Sequence, residues 1–181
     1  MILRRRSFAL VFAAALAAVP LAASAQGMSA PATPTARGPA YDPNTEFHAG
    51  IDALGANKFR IAKDDFEHVL AMVPDQPVAL SMLGQSEVGL GDLRGAARDF
   101  EASLHIDPQQ IIPARELAIA DAKLGRRDKA LAQLQKLKAR ADACADACAE
   151  AGDLSGAVRD VEAALSAASQ AATPSAKAPG G

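Results

Sequence analysis

Cys144 and Cys148 are the only cysteines in the 181-residue chain, and they lie four positions apart. Two thiols at that spacing have three uses. In an oxidising compartment they close a disulfide. On a helix they serve as small residues of a buried stripe. In a few proteins they form a redox or metal-binding pair. A regular helix holds Cβ atoms at i and i+4 roughly 5–6 Å apart, whereas a disulfide needs about 3.5–4.5 Å. Bonding therefore calls for a locally opened helix, and that is the expectation here. A metal or redox role lacks support from the residues around the pair. Neither Cys-x2-Cys nor a neighbouring histidine is present, and no metal ligand set is expected.

Other chemistry is sparse. His48, His68 and His105 are scattered, without metal-ligand spacing. His68 and His105 fall on outer helix faces, and His48, on a first helix, is read as a surface histidine with a groove-facing position as the alternative. No Ser, Thr or Cys nucleophile has a partnering base, and no glycine-rich phosphate loop occurs. The expectation is a non-enzymatic chain with no cofactor.

The elements that position these residues are repeats. Pro74 and Pro108 are 34 residues apart, and Gly50/Gly84, Asn57/Gly91, Ala62/Ala96, Phe66/Phe100 and Leu70/Leu104 share that offset. A fixed period of this length marks stacked helical hairpins. In the first copy Phe47, Gly50, Ile51 and Leu54 share a helix face. Gly55-Ala56-Asn57 breaks it, and a second helix carries Phe59, Ala62, Phe66, Val69 and Leu70 to a stop before Pro74. The second copy repeats this with Leu80, Leu83, Gly84 and Val88, a turn at Gly91, a cap at Asp92, and Leu93, Ala96, Phe100 and Leu104. The third has a helix near 113–124, a turn at Gly125-Arg126-Arg127, and a helix from Asp128.

After the third copy the register slips. Residues 152–165 copy 91–104 at ten of 14 positions, but at an offset of 61, seven short of two periods. Between Asp128 and Glu150 there is neither Gly nor Pro, so the stretch is one long helix or a helix kinked near 140–143. Either way 153–167 is expected to fold back on 142–151 and close the array as a cap.

Ala-x3-Phe at 62–66 and 96–100, Leu83-Gly84 and the two closing prolines resemble the tetratricopeptide repeat (TPR). The small residues let two helices cross closely, and each Phe fills the space beside the crossing. The resemblance implies an all-α fold, a short right-handed α-solenoid of TPR-like hairpins with a C-terminal capping helix. It further implies that Phe47, His48, Ile51, Ser81, Gln85, Val88, Arg115, Ile119 and Lys123 line a concave partner-binding groove. Some family members grip a terminal carboxylate with Lys and Asn. Here the matching places are apolar, Ser or Gln, with Arg115 and Lys123 the only basic ones. A mixed groove for an extended segment or a helix fits better.

The chain ends set the compartment and the limits of the domain. Arg4-Arg5-Arg6, an apolar stretch from Phe8 to Leu21 and Ala23-Ser24-Ala25 read as a signal peptide over 1–25, cut after Ala25. Arg5-Arg6-Ser7-Phe8 resembles part of a twin-arginine signal but has no Ser or Thr before the pair, so the general secretory route is expected. Residues 26–42 and 168–181, rich in Ala, Pro, Ser and Gly, read as a disordered linker and tail around a helical domain at 43–167. Without Arg4–Arg6 the chain holds 16 basic and 21 acidic side chains, a net of −5, which gives no footprint for nucleic acid. No membrane span is expected in the mature chain. The functional expectation is a periplasmic or secreted adaptor holding a protein partner, by family analogy one from envelope assembly, secretion or cell-wall machinery. A small redox or metal-handling protein using Cys144 and Cys148 is the alternative.

Overall fold

Seven α-helices run through the residues that a computed structural model of the chain describes, 42–144 and 148–172. They are α1 (Pro43–Gly55), α2 (Phe59–Met72), α3 (Pro77–Leu90), α4 (Leu93–Ile106), α5 (Ile111–Lys123), α6 (Arg127–Cys144) and α7 (Ala151–Ala172). The chain divides into two units, 1–37 and 38–181, and every described residue belongs to the second. The expected signal peptide, nearly all of the linker and the tail beyond 172 lie outside the described residues.

The helix ends follow from local chemistry. The Asp42 carboxylate accepts the Asn44 and Thr45 N–H groups, and Pro43 opens α1 where its missing N–H costs nothing. Asp92 caps α4 by accepting the Gly95 N–H at 2.9 Å. The three hairpin turns each hold one left-handed residue, Asn57 (φ 58°), Gly91 (φ 81°) and Gly125 (φ 74°), spaced one period apart. Such a residue lets the last turn close its carbonyls before the chain reverses. The third hairpin opens at Ile111, ahead of the expected 113. Pro113 sits in the first turn of α5, where no intrahelical N–H is required.

Within each of the first two hairpins a glycine of the first helix meets a phenylalanine of the second. A Cβ at Gly50 would lie 2.8 Å from the Phe66 ring, and one at Gly84 2.6 Å from that of Phe100. Both rings are fully buried, each contributing about 2–3 kcal/mol of transfer free energy. Phe66 clusters with Ala53, Ala62 and with Leu83 of the next hairpin. Phe100 does the same with Ala96, Ala97 and Leu117 of the hairpin after that. The hairpins are thus joined by the core that builds each of them. Within the second hairpin Ser103 adds a polar tie, its hydroxyl donating to the Pro77 carbonyl at 2.8 Å.

The C-terminal end departs from expectation. The long stretch is not one helix: α6 ends at Cys144 and α7 starts at Ala151. Nor does the last helix fold onto 142–151. Leu154, Ala157, Val161 and Leu165 of α7 pack with Ala114, Ala118 and Ala122 of α5 and with Ala130, Leu134 and Leu137 of α6. The reason is where apolar surface remains. Beyond Leu137 the chain offers Lys138, Arg140 and Asp142 among alanines, whereas the third hairpin would otherwise leave its inner face uncovered. The cap also extends to Ala172, past the expected boundary at 167.

Candidate functional site

The first helices of the second and third hairpins, α3 and α5, stand side by side with the start of α7 beside them. Between them lies an open trough of about 440 Å³, lined by α3, the α4–α5 loop, α5 and the approach to α7. Val78 and Ile112 are 43% and 48% exposed, large apolar side chains standing one period apart. Met82, Ile111 and Pro113 add apolar wall. Three amides, Gln85, Gln109 and Gln110, lie among them. The Asp107 carboxylate accepts the Gln109 N–H at 3.0 Å, which turns the loop so that Gln109 and Gln110 reach the trough.

The residues expected to line a groove divide into two groups. Ser81 and Gln85 are in the trough, although Ser81 is buried and forms part of its floor. Arg115 lines an adjoining recess with Gly152, Asp153 and Gly156 of α7, held by Glu116 at 2.7 Å and by Asp160 at 3.5 Å. Phe47 is half-buried against the first core cluster, packing edge-on to Phe66 at 5.8 Å. Val88 packs on the Phe100 cluster and Ile119 on the cluster covered by α7. His48, Ile51 and Lys123 are on the surface but outside the trough.

The residues missed at sequence level carry the trough: Val78, Met82, Gln109, Gln110 and Ile112, with Glu150 and Asp153 on the rim. Part of the signal was available. Val78 and Ile112 repeat at the 34-residue offset, one position before the small residues Ala79 and Pro113 that are buried.

Cys144 and Cys148 are disulfide-bonded, with Cα atoms 5.4 Å apart. Cys144 is the last residue of α6 and packs against the core cluster shared by α5, α6 and α7. Among the described residues no group of three or more His, Cys, Asp or Glu is placed to hold a metal. No described helix is long and apolar enough to cross a membrane.

One further titratable group sits away from the trough. Glu87 of α3 is buried and meets Lys63 of α2 at 3.1 Å, while Lys63 also meets Glu67 at 2.6 Å. Asp99 of α4 completes the group. Burial first, then the hydrogen bond and charge of Glu87, push its carboxyl up to about 7. The hydrogen bonds to Glu67 and Glu87 outweigh burial in raising Lys63. One period on, buried Asp121 occupies the place of Glu87, paired with Arg126 at 3.3 Å. The first network joins α2, α3 and α4, and the second ties α5 to the turn that follows it.

Comparison with solved structures identifies the arrangement. The crystal structure of the Sgt2 TPR domain from Aspergillus fumigatus superposes with a TM-score of 0.57 at 19% identity, over 75% of this chain and 86% of that one. The fold is that of a TPR domain. No family model and no curated protein matches the sequence. Three TPR-like hairpins and a capping helix are therefore the frame that holds the trough.

Proposed function

We infer that this chain is a non-enzymatic binding scaffold that holds a segment of a protein partner in the trough between α3 and α5. The observation that carries the reading is the pair Val78 and Ile112. Two large apolar side chains at equivalent places of successive hairpins stay exposed beside a core built from the periodic apolar positions. An extended segment laid across the first helices would cover both, and the Gln85 and Gln109 amides offer donors and acceptors to its backbone. The buried carboxylates Glu87 and Asp121, by contrast, are ion-paired with Lys63 and Arg126. The N-terminal signal-like segment supports a setting outside the cytoplasm, and the disulfide agrees with an oxidising one. By analogy with exported TPR proteins, the partner belongs to envelope assembly, secretion or cell-wall machinery.

Photo-crosslinking tests the reading in the native source. A crosslinker at Gln85 or Ile112 should trap one defined protein, and His105 on α4 serves as the control. Equal capture of that protein from position 105 would rule the trough out as its binding site.

A further inference from the structure

The trough has a charge as well as a shape. Three carboxylates line it: Asp107 from the end of α4, Glu150 from the connector before α7, and Asp153 from the first turn of α7. The cations nearby are already engaged. Arg115 is shared between Glu116 and Asp160. Arg140 donates to the Gln109 carbonyl at 2.8 Å and to the Glu150 carboxylate at 3.5 Å. That offsets part of the Glu150 charge and leaves Asp107 and Asp153 as the unpaired acids among the described residues of the trough. Asp153 has no basic partner among the described residues. The capping helix therefore does more than cover the third hairpin. It carries acidic groups to the edge of an apolar trough, and Asp160 joins Glu116 in pairing Arg115.

Building on the trough as the binding site, we propose that its occupant is an extended segment of another protein in which apolar residues alternate with Lys or Arg. In an extended chain, side chains alternate between faces. One set can enter between Val78 and Ile112 while the other reaches the carboxylate rim. A segment rich in Asp or Glu meets like charge from three elements and is disfavoured. Glu150 and Asp153 also suit the positive end of the α7 dipole, so the test separates recognition from helix stability.

The full chain is titrated with labelled peptides of about ten residues, alternating Leu with Lys, Leu with Glu, or Ser with Lys. Leu/Lys should bind best and weaken as salt is raised. The double variant Glu150→Gln/Asp153→Asn should lose about tenfold in affinity while the chain stays folded, with only the small drop in melting temperature that loss of two charges at the start of α7 brings. Asp153→Glu should retain binding, and Asp64→Asn on α2 serves as a charge control without effect. Equal or tighter binding of Leu/Glu, no binding by any peptide, or indifference to Glu150→Gln/Asp153→Asn overturns the proposal. So does a gain in affinity on removing residues 173–181, which would make the chain's own tail the occupant. Leu/Lys binding that also survives Ile112→Ser places the peptide elsewhere and overturns it too. Crosslinking that fails to distinguish Gln85 and Ile112 from His105 removes the trough itself, whatever the peptides do, so the two failures are distinguishable.

Discussion

At Gly84 a Cβ would come within 2.6 Å of one Phe100 ring atom and 2.9 Å of two others, with the ring itself fully buried. Neither group can move aside, because Ala96, Ala97 and Leu117 close the space around the ring. Gly84→Ala should therefore destabilise the chain by about 1–3 kcal/mol, the usual cost of overpacking. Adding Phe100→Leu should recover part of that loss, since the smaller side chain makes room for the methyl. Urea unfolding of the two variants checks this, and equal midpoints for single and double variants would mean the crossing is not tight. These contacts were legible from the residues alone. Glycine and phenylalanine recurring together at one offset in a helical hairpin imply a close crossing with a ring beside it. Ile119 and Val88 were not legible in the same way, because the face a side chain presents depends on which helix comes next.

At the junction of α2, α3 and α4 the interaction of elements shows in the pH response. Asp99 keeps its proton up to about pH 7, while in the unfolded chain its carboxyl ionises near 3.8. Between those values the folded state binds the extra proton, so stability falls as pH rises through that window. Asp99→Asn should flatten the fall and leave the chain more stable than wild type above pH 7, since the amide can still donate to Glu87. Urea midpoints at about pH 5 and about pH 8 measure the slope; an unaltered slope in the variant would place the titrating group elsewhere. Nothing in the spacing of Lys63, Glu87 and Asp99 announces this network. It comes into being only when three helices from two hairpins pack, whereas the helices themselves follow from prolines, caps and left-handed turns. The same limit hid the trough. Val78 and Ile112 repeat at the right offset, but their exposure depends on α7 leaving that side of α5 open while covering Ile119.

Across the helical domain, α7 has two duties, closing the core and shaping the trough. Val161 is fully buried among residues of α5, α6 and α7. Val161→Asp should loosen the third hairpin first, raising amide exchange in α5 and α6 well before α1 and α2, as expected of an array stabilised by neighbours. Uniform acceleration from α1 to α7 would show instead that the domain opens only as a whole. Register loss after the third hairpin was visible in the sequence, and so was a cap. Where the cap would lie was not, because that depended on the apolar surface left by α5 and α6. The scaffold reading rests finally on the exposed pair. The decisive measurement is the affinity of the crosslinked partner, purified, for wild type and for Val78→Ser/Ile112→Ser. Both side chains are about half exposed, so the double variant should melt with wild type while affinity drops at least about tenfold. Unchanged affinity with intact folding would contradict binding in the trough.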